Sequence, residues 1–120
     1  MACSGEMPGC SYLSDNESVP GPRHLHFEWD PAKGLSNEHK HGVAFTLAMS
    51  VFCDPHIQSM FDDDHSTTEE RWIALGLASN GVLLVVVHMW TEVDPANVNV
   101  RIISARKASA AEQGVYKDSQ

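Results

Sequence analysis

Apolar residues recur along this chain with two different periods, and the switches between them mark out its elements. Phe27 and Trp29 alternate with His26 and Glu28, the mark of a short strand over 26–29 with one buried face. Asp30-Pro31 then starts a helix: Asp30 is a good N-cap, and the fixed φ of Pro31 suits the first helical position. The pattern carries this helix to about His41, where Gly42 stops it as a residue free to turn left-handed. Gly34 inside it costs about 1 kcal/mol relative to Ala, so the helix depends on packing. Phe45, Ala48, Met49 and Phe52 fall at i, i+3, i+4 and i+7, a second and shorter core-facing helix that Asp54-Pro55 ends.

Downstream the period drops to two. Residues 57–61 read as an edge strand, with Asp62-Asp63-Asp64-His65-Ser66 as its turn. Arg71, Ile73, Leu75 and Leu77 share one face of the next strand, and Asn80-Gly81 predicts a type I′ hairpin turn into a fully buried return strand over 82–88. A loop over 89–97 containing Asp94-Pro95 leads to a strand over 98–106. There the consecutive β-branched Ile102 and Ile103 imply burial on both faces. Ser109 and Glu112 have the S-x-x-E spacing of a capping box and open a last helix over 109–117. The order β-α-α-β-β-β-β-α is that of an α+β domain, an antiparallel β-sheet meander covered by two N-terminal helices and one C-terminal helix.

Composition sets limits on this picture. Residues 1–23 are rich in Ser, Gly, Pro and acids and close on Pro20-Gly21-Pro22, which predicts a disordered tail before a single domain over 24–120. The longest apolar run, 82–87, is far short of a membrane span, and the N-terminus lacks the basic flank and apolar core of a signal peptide; a cytoplasmic protein is expected. Three cysteines with no C-x-x-C pair argue against a disulfide framework and against a zinc site of the usual spacing. The net charge is −8, and residues 27–120 alone carry 13 Asp plus Glu against 7 Lys plus Arg. Nucleic-acid binding must therefore rest on a local patch, and a protein partner would be a basic one.

One such patch exists. Arg101, Arg106 and Lys107 fall close together on the strand before the last helix, a natural place to hold an anion such as phosphate. Strict alternation puts Arg101 and Arg106 on opposite faces, because their separation is odd; one cleft can hold both only if a bulge intervenes or Arg106 lies beyond the strand end. On the first helix, Lys33, Asn37, Lys40 and His41 lie along one side, either a solvated face or one wall of a polar cleft. Asp54, His56, Asp62-Asp63-Asp64 and His65 suggest a metal, but without a spaced ligand motif they read as solvated loop residues. No cofactor is expected.

Several of these blocks together resemble the BrnT-type toxins. They are Phe27-Glu28-Trp29-Asp30-Pro31-Ala32-Lys33, Asn37, Lys40-His41-Gly42-Val43, Arg71 with Gly76, Leu83-Leu84-Val85-Val86-Val87-His88, and Arg101-Ile102-Ile103-Ser104-Ala105-Arg106-Lys107-Ala108. The similarity covers about 27–116. It implies the toxin half of a bacterial toxin–antitoxin pair: a RelE-like fold, RNA cleavage without a metal, inhibition of translation, and neutralisation by a DNA-binding BrnA-like antitoxin. A homodimer and a toxin–antitoxin heterotetramer both stay open. Members usually carry an Arg in the loop where this chain reads Thr91-Glu92-Val93-Asp94, and a basic run where it reads Glu112-Gln113-Gly114-Val115-Tyr116.

Metal-free cleavage has the ribose 2′-hydroxyl attack the adjacent phosphate. That needs a base for the hydroxyl, an acid for the leaving 5′-oxygen, and cations for the charge on the phosphate. The resemblance assigns acid–base work to His41 helped by Lys40, and phosphate holding to Arg71, Arg101 and Arg106, whose planar forks bind two oxygens at once. Tyr116 stacks on a base or assists proton transfer, and His88 is a second acid–base candidate. Against this stand two other readings. One is a catalytically weakened BrnT-like binding protein that acts only as partner of a DNA-binding antitoxin. The other is that His41 merely decorates a helix C-terminus and His88 is a satisfied core histidine.

Overall fold

The computed structural model describes residues 3–6, 12–13, 22–62 and 71–118. Strands β1 (Cys3–Glu6), β2 (Tyr12–Leu13) and β3 (Pro22–Trp29) precede helices α1 (Pro31–His41) and α2 (Phe45–Met49), which a 3₁₀ turn (Ser50–Cys53) extends. Then come β4 (Gln58–Phe61), β5 (Arg71–Leu77), β6 (Leu83–Asp94), β7 (Asn97–Lys107) and α3 (Ala110–Asp118). β1 and β2, inside the stretch expected to be a disordered tail, pair antiparallel with β3.

The expected meander is present as β4-β5-β6-β7, all antiparallel. What the pattern did not foretell is the place of the first strand. β3 lies parallel beside β7, giving the order β1-β3-β7-β6-β5-β4. Residues 89–97 are not a loop either. β6 runs on to Asp94, and a tight turn follows in which Asp94 Oδ1 accepts the Ala96 N–H at 2.8 Å. The turn at Asn80-Gly81 is also not type I′. That type needs a positive φ at both central residues, and here Gly81 alone has one (82°), its N–H donating to the Ala78 carbonyl at 2.9 Å.

Both helix starts are as expected. Asp30 accepts the Ala32 N–H at 2.9 Å to cap α1, and Gly42 ends it with φ 70°. At α3 the capping box is reciprocal: Glu112 N–H donates to Ser109 Oγ at 3.2 Å, and Ser109 N–H donates to Glu112 Oε1 at 2.8 Å.

The two faces of the sheet differ. Against one pack α2, its 3₁₀ extension and the inner side of α1, burying Phe27, Val86, Val100, Ile102 and Ala105 with Val43, Phe45 and Phe52. The other face has a small cluster, Leu75, Val85 and Tyr116, beneath α3. Cys53 is disulfide-bonded, so the odd cysteine count excluded full pairing but not a single bridge.

Candidate functional site

Paired residues share a face, so the register maps where the cations lie. Arg71 of β5 pairs with Met89 of β6, which pairs with Arg101 of β7, which pairs with Glu28 of β3. These four form one row across the sheet, with the two arginines about 10 Å apart on either side of β6. Further along the same face a second row holds Leu75, Val85 and Arg106.

Arg101 and Arg106 reach one face because β7 carries a bulge. Val87 pairs with Ser104 while the next residue, His88, pairs with Ile102, so Ile103 has no counterpart on β6. The extra residue turns the odd separation into an even one: the partners, Met89 and Val85, are four apart on a regular strand. Arg106 therefore lies about 13 Å from the Arg101 row, measured along the strand. The burial expected on both faces from Ile102-Ile103 is met by Ile102, at 2 % exposure, while Ile103 is half-buried.

The arginines differ in their surroundings. Arg101 is half-buried and makes no hydrogen bond or ion pair among the described residues, and Arg71 is half-buried at the start of β5. Arg106 is held end-on by Glu112, with Nη1 to Oε1 at 2.7 Å and Nη2 to Oε2 at 2.8 Å. The hydrogen bonds from Arg106, with a smaller part from Ser109 and the guanidinium charge, hold the Glu112 carboxyl at about 2 against the opposing effect of burial. The same pair raises the Arg106 pKa.

The helix residues lie elsewhere. Asn37, grouped by spacing with Lys33, Lys40 and His41, turns inward and is buried. Its Nδ2 donates to the carbonyls of Val43 (2.9 Å) and Ala105 (2.8 Å), and its Oδ1 accepts the Ala105 N–H at 3.1 Å. These bonds satisfy the edge of β7 where β3 has ended, so the side of α1 is not one polar wall. Lys40 and His41 are exposed in the last turn, one turn past Asn37, while Arg106 is one residue past Ala105. Asn37 thus brings the end of α1 alongside the edge of β7 at Ala105, whereas Arg71, Arg101 and Arg106 all lie on the sheet face that α1 does not cover.

Tyr116 is not placed to stack on a base. It is 4 % exposed, and its hydroxyl donates to Asp54 Oδ2 at 2.5 Å. Asp54 also accepts the N–H groups of Leu77 (2.8 Å) and His56 (2.9 Å); burial alone would raise its pKa, but these bonds together hold it below the usual carboxylate range. Asp54 is a junction between α3 and the sheet. Residues 63–65 of the acidic loop lie outside the described residues, and among the described residues no three His, Cys, Asp or Glu side chains gather as metal ligands. His88 is 1 % exposed on the helix-covered face, edge-on to Phe52. Desolvation pushes its pKa down to about 4, although a bond to the Val86 carbonyl opposes the shift. It is a neutral core histidine.

Over residues 29–112 the chain matches the family described as ribonuclease toxin, BrnT, of type II toxin–antitoxin systems. The chain belongs to this family. No curated protein matches it. The BrnT match takes in α1, the bulged strand and all three arginines, closes on Glu112, and leaves out Tyr116.

Two residues of the BrnT chain were not singled out as site candidates from the sequence. Glu112 was legible as a cap, but its second duty toward Arg106 needs the β7–α3 corner. Glu28, two residues from His26 on the alternation opposite Phe27, joins the arginine row only because β3 lies beside β7.

Proposed function

We propose that this BrnT chain is a metal-independent endoribonuclease toxin that cleaves RNA and so inhibits translation, and that a cognate BrnA-like antitoxin neutralises it. The observation that carries the reading is the gathering of Arg71, Arg101 and Arg106 on one sheet face of a chain with net charge −8. In an acidic protein such a patch supplies the local positive potential that a phosphodiester needs. Arg106 neutralises the charge that grows on the phosphate oxygens as the 2′-hydroxyl attacks, and Arg71 and Arg101, about 13 Å further along the face, hold neighbouring phosphates of the RNA strand. His41, assisted by Lys40, takes the hydroxyl proton and returns one to the leaving 5′-oxygen, working from the exposed end of α1 beside the edge of β7. Tyr116 is left out of this assignment, because its ring and hydroxyl are used to dock α3.

A second reading has an observation of its own. Arg106 is already ion-paired and the end of β6 carries Glu92 and Asp94, which suits a BrnT-like protein that persists only as partner of a DNA-binding antitoxin. Inducing the wild type and Arg106→Ala in a bacterial host separates the two. Growth arrest by the wild type alone, with RNA cleavage that survives EDTA in vitro, is the expected result. Arrest by neither, with antitoxin still co-purifying, selects the partner-only reading, and cleavage abolished by EDTA overturns the metal-independent mechanism.

A further inference from the structure

We propose that Glu112 is a positioning residue for Arg106: it grips the guanidinium end-on and leaves the Nε–Nη2 side edge presented to a phosphate. The inference rests on the ribonuclease reading of the arginine face and adds a residue to it.

A guanidinium has five N–H donors in a fixed plane. Glu112 takes one from Nη1 and one from Nη2, at 2.7 and 2.8 Å, and the Lys107 carbonyl takes the second Nη1 hydrogen at 3.3 Å. Three donors are thus used among the described residues. The Nε–H and the outer Nη2–H remain, side by side and parallel, the geometry that grips two oxygens of one phosphate. The side chain of Arg106 is 46 % exposed, and none of the hydrogen bonds it makes among the described residues uses this edge.

An ordinary surface ion pair would not fix that edge, since both side chains would move together. Here the carboxylate is itself anchored. Its Oε1 also accepts the Ser109 N–H at 2.8 Å, while the backbone of Glu112 is bound to Ser109 Oγ. The guanidinium plane is set by the first turn of α3, and α3 is docked by Tyr116 on Asp54. The rotamer freedom of a long side chain is lost on folding rather than on binding RNA, which favours affinity.

The test uses Glu112→Gln, which keeps the capping box because Gln caps as well as Glu. Binding is read by fluorescence anisotropy with a short 2′-O-methyl RNA, which has the phosphates but not the attacking hydroxyl. Charge alone predicts tighter binding, since the change removes one acid from a chain of net charge −8. Positioning predicts weaker binding, by about tenfold, the worth of one charge-assisted hydrogen bond. Arg106→Ala should weaken it comparably, and the double variant should be no worse than Arg106→Ala alone. If Glu112→Gln binds as tightly as the wild type or more so while Arg106→Ala weakens binding, Glu112 is only a cap or a competitor; the inference falls and the ribonuclease reading stands. If Arg106→Ala also binds like the wild type, the role of Arg106 falls, and the inference with it.

Discussion

The two faces of the sheet are built on opposite terms. Beneath α2 and the inner side of α1, Phe27, Leu84, Val86, Val100 and Ile102 are at most 2 % exposed, and even His88, on the same face, is dry and neutral. On the opposite face, α3 covers only Leu75, Val85 and the rows nearest them, and two half-buried arginines lie beyond. One face supplies the hydrophobic stabilisation, at roughly 25 cal/mol per Å² of apolar area removed from water. The other is thereby free to carry charge. An acidic chain can gather its arginines on one surface because the fold sorts residues by face, not by segment: Arg101 and Ile102 are neighbours in the chain and belong to different surfaces.

That adjacency provides the sharpest test. Ile102→Ala should cost about 3 kcal/mol in urea unfolding, the usual range for an aliphatic side chain lost from a closed core. Arg101→Ala should change stability by less than about 0.5 kcal/mol, as expected for a side chain with no described partner. It should instead weaken RNA binding and lower the salt dependence by about one phosphate contact. Equal destabilisation by both would mean that the arginine face is structural too.

A pH experiment probes the covered face alone. The folded pKa of His88 is about 4, below its unfolded value of about 6.5, so as pH falls the unfolded chain takes up the proton first. Its contribution is fully present above pH 6.5 and is lost progressively toward pH 4, by up to about 3 kcal/mol. The depressed carboxylates, Glu112 and Asp54, are lost only at lower pH, so the two windows separate. His88→Leu should flatten the urea midpoint between pH 6.5 and 4.5. An unchanged slope would show that His88 is not the group that titrates.

How much of this was legible beforehand follows the range of the interactions. Asp30-Pro31 and Gly42 bound α1 through contacts within a turn, and Ser109 with Glu112 opens α3 the same way; both read directly from the chain. The hairpin type was missed because Asn80-Gly81 permits several turns, and the flanking strands choose among them. The far end of β6 is not legible because Thr91-Glu92-Val93-Asp94 is exposed and mixed in polarity, so the hydrophobic pattern fades although the pairing continues. The bulge at Ile103 has no local mark: two consecutive isoleucines look the same whether each buries a face or one is surplus. Face assignments for the arginines needed that bulge, and the place of Glu28 needed the parallel pairing of β3 with β7. The residue types of the candidate site were thus visible in the chain, but their grouping was not.

The smallest effect tests the seam between the two regions, where α3 meets the sheet. Tyr116→Phe removes one hydroxyl and leaves Asp54 with its two N–H donors, from Leu77 and His56. The carboxylate stays hydrogen-bonded, so the cost is that of one charge-assisted bond, about 1–2 kcal/mol, and not that of a buried unpaired charge. Asp54 should titrate closer to the ordinary carboxylate range, because a group that lowers its pKa is gone. The chain should therefore lose stability at neutral pH and lose less of it on strong acidification than the wild type, measured as urea midpoints at pH 7 and pH 3. If the midpoint at pH 7 is unchanged, the phenol does not dock α3, and the support it gives to the Glu112–Arg106 corner has to come from the capping box alone.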